Sequence, residues 1–392
     1  MFAHIWHGRL GGLRLVMVLA VVALVLIGLA TISATDRTSE PPRNYASKQL
    51  VWIALSIVAF VAANMVHYHT LGRISYVLFV LALVLLLLVL IGKHYRMISI
   101  VPSIRGASRW INLIPGNSII RLQPSELAKL VYILALAWYL RYRENYRNFI
   151  GLVGPFALTL LPMVLVLLEP DLGTVLLFLP VLFMVLFVAG ARVRHLLAIV
   201  TCGFLISPMF YFIMEDYQLD RIRILLKQST DDPYWLGGPG YQLHQSKICV
   251  ATGQTTGQGW LLSPFVRYKP PPDRHNDFIF AIIAHQWGLL GAMLVLALYA
   301  IIIIGGLEIA AEQPEPFGRL LAVGICALIG AQMFINIGMT LGLMPITGMT
   351  LPFVSYGGSS LICNFLAMGL LFNVARHRGP AIAPKPFEFS DD

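Results

Sequence analysis

Residues 269–304 read KPPPDRHNDFIFAIIAHQWGLLGAMLVLALYAIIII: three prolines, five polar or ionisable groups, then a long apolar run. Each proline locks its own φ and pushes the residue before it out of the helical region, so the approach is extended. The run after Asp277 exceeds the ~20 residues that cross a bilayer, which predicts a membrane helix. Asp273, Arg274, His275, Asn276 and Asp277 crowd its mouth at membrane-surface depth. There an acid or base meets water and a lipid head group together. At about 100° per residue, Asp277, Ala281, Ala284 and Gly288 share one stripe, small below its carboxylate, which a neighbouring helix or a lipid chain can approach closely. Asp277 or Asn276 also suits a plain helix cap, and on these residues alone both readings stand.

The same apolar pattern recurs along the chain. Of 392 residues, 58% are hydrophobic and 12% charged, about half the charge of a soluble protein. Ten runs of membrane length lie near 13–33, 49–67, 74–92, 125–140, 150–168, 172–190, 194–214, 277–304, 319–343 and 352–375. The expected class is therefore all-α integral membrane, with about ten transmembrane helices and a large extracytoplasmic loop, 215–276, between helices 7 and 8. Residues 1–375 form one polytopic domain and 376–392 a disordered cytoplasmic tail. The first run is too long for a signal-peptide core and reads as a retained helix. Lys and Arg near the spans lean toward both termini lying inside. The four cysteines have no CxxC spacing and no disulfide framework.

The two long outer loops hold twelve of the 28 basic residues. That is the composition of a solvated loop and equally of a surface that attracts a phosphate or pyrophosphate head group. No nucleic-acid motif accompanies the net charge of +9, which suits anionic lipid. In the first loop, Trp110 beside Arg105 and Arg109 is either an interfacial anchor or a ring that stacks on a hexose. Glu126 and Lys129 share a face of the next helix and can pair; ionisable residues inside a membrane are functional by default. Asp171 in the turn 169–174 reads as a cap. The glycines of ATGQTTGQGW resemble a phosphate cradle only weakly and form no nucleotide P-loop, since no GK[ST] closes them. Pro345, Gly348, Pro352, Gly357 and Gly358 let the last outer loop leave the helical path where it lines a cavity, with Ser355 and Tyr356 as hydrogen-bonding groups.

RGASRW, LQPSELAK, EPDLGT, GYQLHQSKI, RHNDFIFAI and MPITGMTLPFVSYGGSSLI, in that order across ten spans, resemble the SEDS proteins, the group of RodA, FtsW and SpoVE, leaning toward RodA. The resemblance implies a peptidoglycan glycosyltransferase of the cytoplasmic membrane that polymerises lipid II at the outer face beside a class B penicillin-binding protein. It makes Asp277 the catalytic residue. It matches Arg109, Trp110, Glu126 and Lys129 to family motif positions; Arg105, Lys247 and Arg274, with Arg109, are the candidates to stabilise a leaving pyrophosphate, and Gln245, Ser246, His275, Ser355 and Tyr356 complete the expected substrate-binding residues. No protein metal ligands are assigned; the expected cofactor is at most a divalent cation, Mg or Mn, with no nucleotide. The other readings are a lipid II flippase and a non-catalytic scaffold. One departure stands out: where the family has Glu-Glu-Leu-Gly after its aspartate motif, this chain has His285, Gln286, Trp287 and Gly288.

Overall fold

The computed structural model describes residues 9–37, 44–95, 97, 100–102, 108–112, 121–143, 147–210, 214, 216–228, 238–260 and 275–377. Ten long helices coincide with the ten expected runs. They are α1 (Arg9–Arg37), α2 (Tyr45–Met65), α4 (Ser75–His94), α5 (Pro124–Leu140), α6 (Val153–Leu168), α7 (Leu172–Ala189), α8 (Val193–Phe210), α11 (Ile279–Glu312), α12 (Pro316–Thr340) and α13 (Gly358–Arg376). Three shorter helices join them: α3 (Tyr68–Arg73), and α9 (Asp216–Leu226) and α10 (Tyr241–Gly253) in the large loop. The amphipathic patterns of that loop fold as helices, as their spacing suggests. A two-residue antiparallel ribbon, β1 (Ile111–Asn112) with β2 (Arg121–Leu122), leads into α5.

The centre of the bundle is α12, whose Phe317, Leu321 and Ile325 are fully buried against α5, α7 and α11. Helix α1 packs Met17 and Leu24 into the same core, as a retained helix must. At the far edge α8 touches little but α7, and Phe204, Leu205 and Met209 are exposed. Those side chains suit hydrocarbon and not water.

Two spans differ from their expected bounds. The tenth helix begins at Gly358, six residues late, because 341–357 runs as non-helical chain whose later part is buried: Leu351, Phe353 and Val354 are almost inaccessible. Helix α11 continues past Ile304 to Glu312 and is broken at Gly288, where φ is 63° and ψ −160°. Residues 254–259 fill the break. Gln258 N–H donates to the His285 carbonyl (2.9 Å) and Gly259 N–H to that of Gln286 (3.1 Å), while Leu289 and Leu290 N–H reach the carbonyls of Gln254 (2.8 Å) and Thr255 (3.2 Å). Four of the groups that an interrupted helix would leave bare in lipid are thus bonded. Only glycine serves at 288: a Cβ there would lie 2.4 Å from Gly257 N. The glycine-rich stretch read as a weak phosphate cradle instead completes this helix.

The opposite end, which carries both ends of the described chain, is closed. Asn373 of α13 donates its amide to the carbonyls of Ala63, Asn64 and Val66 and accepts from Tyr68 N–H, capping the end of α2. Glu315 caps α12 through Gly318 N–H (2.7 Å).

Candidate active site

Asp277 was expected at the head of the eighth helix. It lies just before it, in the turn 275–278, and Phe278 occupies the cap position without a side-chain cap bond. The capping reading is therefore set aside. The backbone around Asp277 is fixed from two sides. Asn336 of α12 donates to the Asp277 carbonyl (2.9 Å) and to that of Met349 (2.6 Å). Ser355 Oγ donates to the Asn276 carbonyl (2.6 Å), and Tyr356 N–H to that of His275 (2.9 Å). The carboxylate runs beside Gly348, whose φ of 73° lets the loop turn there. The small stripe below, Ala281 and Ala284, is buried and occupied by α10: Gly253 stands so close that a Cβ would overlap the Ala284 carbonyl. A helix fills that groove.

Above it opens a pocket of about 610 Å³ walled by eight elements and loops. Arg109, Trp110, Arg121 and Gln123 come from the ribbon, Glu126 from α5, Asp171 and Thr174 from α7, Arg221 and Gln242 from the large loop, Gln332 from α12, and Tyr356 to Ser360 from the last loop. Tyr45 and Trp52 of α2 close one side; Tyr45 stacks on His275 with ring centroids 4.1 Å apart and lies 4.9 Å from Tyr356. Burial, and then the neighbouring Tyr45, hold the Tyr356 phenol above its ordinary range, so it stays a neutral hydrogen-bonding group. Three guanidinium groups line the pocket. Arg109 reaches Asp171 (3.6 Å) and Arg221 the Thr347 carbonyl (3.1 Å), while Arg121 Nε is buried without a partner among the described residues. Asp171 also caps α7, accepting from Thr174 N–H (3.4 Å) and Thr174 Oγ1 (2.9 Å).

Several expected site residues lie elsewhere. Lys129 is buried beneath the pocket and paired with Glu126 at 2.7 Å. Ser355 is turned inward and holds the Asn276 backbone. The QSKI segment is not at the pocket, because its face of α10 is spent on packing: Ser246 donates to the Thr340 carbonyl (2.8 Å), Gln245 is buried, and Lys247 points to Gln228 (3.3 Å). Gln242, one turn earlier, is the α10 residue that lines the pocket. Arg105 and Arg274, and the tail from 378 on, lie outside the described residues. Sequence reasoning missed Tyr45, Trp52, Arg121, Gln123, Arg221, Gln242 and Gln332. Only Arg121 and Gln123 carried a signal, standing beside the quoted QPSE motif.

At the departure His285 is held by hydrogen bonds through Nδ1, whereas Gln286 Oε1 is buried without a hydrogen-bond partner among the described residues. His285 is buried, its Nδ1 2.7 Å from Thr252 Oγ1 and 3.3 Å from the Cys249 carbonyl. This ties α11 to α10 just above the break. Among the described residues no three His, Cys, Asp or Glu side chains stand together to hold a metal ion. A second groove of about 750 Å³ between α7, α11 and α12 is lined largely by apolar side chains such as Leu176, Pro180, Met184, Leu307 and Phe334, and the titratable group among its described lining residues is the Cys326 thiol.

Comparison with known proteins agrees with this geometry. The family described as cell cycle protein, FtsW/RodA/SpoVE, matches residues 12–379. The peptidoglycan glycosyltransferase MrdB of Escherichia coli is 38% identical over 276 residues, 70% of this chain and 72% of that one. A chain solved in a study of the structural coordination of polymerization and crosslinking by a peptidoglycan synthase complex superposes with a TM-score of 0.76 at 32% identity, covering 92% of this chain and 97% of its own. The rod shape determining protein RodA of Thermus thermophilus superposes with a TM-score of 0.67 at 29% identity, covering 92% and 96%.

Proposed function

The chain belongs to the FtsW/RodA/SpoVE family of cell cycle proteins, and from that premise we propose how its outer pocket works as a peptidoglycan glycosyltransferase. The protein is a multi-pass membrane enzyme of this class. The substrate is lipid II, bound from the outer leaflet of the cytoplasmic membrane with both termini inside, and the product is a glycan strand for cell elongation. Undecaprenyl pyrophosphate is released. The observation that carries this reading is Asp277, pinned through its backbone by Asn336 and Ser355 at the wall of a polar pocket that also holds Arg109, Arg121 and Arg221.

Asp277 acts as general base on the acceptor sugar's 4-hydroxyl as that oxygen attacks the donor's anomeric carbon. The C–O bond to the pyrophosphate breaks on the opposite face, so the configuration inverts. A pyrophosphate leaves without a protein acid, which explains why one positioned carboxylate suffices where ordinary glycosides need two. Negative charge grows on the leaving group, and Arg109, Arg121 and Arg221 answer it. Tyr45, Trp52 and Trp110 supply ring faces for the sugars. The partner is a class B penicillin-binding protein that crosslinks the strand, in keeping with the synthase complex to which this fold is similar.

A flippase would need a polar path through the bundle. The ionisable side chains at hand do not supply one: Lys129 closes on Glu126, and His285 is bonded into α10. The test is glycan formation from labelled lipid II in liposomes. Wild type with its class B partner is expected to form long chains, and Asp277→Asn to lose at least about 100-fold in rate, within the range of general-base removal. Full polymerisation by Asp277→Asn would overturn the base assignment.

A further inference from the structure

The turn between α6 and α7 carries an acid that the mechanism leaves unused. Glu169 is 0% exposed, and neither carboxyl oxygen has a hydrogen-bond partner among the described residues. Two cations stand near and both are engaged elsewhere. Lys93, at the end of α4, donates to the Leu168 carbonyl (3.3 Å). Arg109 gives Nε to the backbone oxygen of Glu169 (3.2 Å), Nη2 to that of Pro170, and Nη1 to the Asp171 carboxylate at 3.6 Å. A buried carboxyl that nothing solvates keeps its proton. Burial first, and then the Asp171 charge, push this one up to about 9, with Arg109 and Lys93 offsetting only part.

We propose that Glu169 is a positioning residue for the pocket, an uncharged carboxylic acid whose neutrality leaves the Arg109 charge available to an anionic group of the substrate. The local sum makes the case. Arg109, Lys93 and Asp171 together carry one positive charge; an ionised Glu169 would cancel it. Its buried side chain fills the space under the turn while its backbone oxygen orients Arg109 Nε toward the pocket wall.

The proposal rests on the reading that the pocket accepts a pyrophosphate, and its test avoids the polymerisation assay. Binding of inorganic pyrophosphate to the full chain in detergent is followed from about pH 7 to about pH 10 for wild type and Glu169→Gln, which keeps shape and neutrality. The two are expected to bind alike near pH 7. Wild type then weakens relative to the variant by up to about tenfold as Glu169 ionises near a charge of the opposite sign. The ligand's own titration cancels in the ratio. In parallel, infrared spectra at pH 7 are expected to show a protonated-carboxyl carbonyl band in wild type that Glu169→Gln lacks. A pH-independent affinity ratio, a tenfold loss in Glu169→Gln at pH 7, or absence of the band would each overturn the proposal. Failure of the glycosyltransferase reading would show differently, as lipid II left unextended while the ratio still moves.

Discussion

The two ends of the helix bundle handle polar groups in opposite ways. At the end bearing both termini, polar atoms are largely passed to one another. Asn373 spends its amide on the end of α2 and its oxygen on the start of α3, Gln313 donates to Tyr68 (2.9 Å), and Glu315 caps α12. Even there the packing has a cost, since burial and the neighbouring His377 and His69 depress the His67 imidazole. At the pocket end, backbone is fixed by side chains while Arg121, Asp171, Asp277 and Gln332 line open space. Satisfied polar networks lock a structure; a rigid frame holding side chains toward a void is what catalysis by positioning requires. The contrast separates the residues that hold this protein together from those that the proposed function assigns to the substrate.

Substitution at Gly288 should break that contrast hardest. Gly288→Ala forces an L residue to φ 63° and a Cβ onto Gly257 N, a cost of roughly 3 kcal/mol or more. The expected outcome is loss of folded protein on fluorescence-detected chromatography, and with it loss of glycan synthesis, because the segment presenting Asp277 hangs above the break. Wild-type yield would show that the junction repacks. Asn373→Ala sharpens the contrast instead. It strips the cap from α2 and is expected to cost about 2 kcal/mol, read as a lower melting temperature in detergent, while chain formation per folded molecule stays at the wild-type rate. The effect of Glu169→Gln, unlike the other two, depends on pH. The folded-state carboxyl titrates near 9, against 4.5 when free. The contribution of Glu169 to wild-type stability is therefore fully present below about pH 4.5 and falls as pH rises toward about 9, since the unfolded chain sheds the proton first. The variant lacks this contribution to the slope, so its melting temperature should gain on that of wild type as pH rises toward about 9.

The helices were legible because membrane helices announce themselves by length and apolarity, and all ten runs fold where the hydropathy lies. Their ends were less so. Gly305 and Gly306 looked like the close of a span, yet they allow contact with Met17 and Cys326, and α11 runs on to Glu312. The break at Gly288 was invisible, since the apolar pattern passes through it and its partner, 254–259, is distant in sequence. Asp277, Trp110, Arg109 and His275 were found because they sit in compact motifs. Tyr45 and Trp52 were not, because their role arises only when α2 packs on α13 and faces the last loop. The opposite error, at Gln245, Ser246 and Lys247, came from a motif whose residues serve packing between α10 and α12.

The stitched break also dictates an order of assembly. Residues 254–259 leave the ribosome before His285 to Leu290, the partners they will bond. The loop before the eighth span must therefore be in place when that span arrives, or the span would enter lipid with bare carbonyl and amide groups at its interruption. The loop is in this sense a template for the helix that follows it, and a lesion anywhere in 241–259 would surface as a failure of insertion in a segment that carries no change.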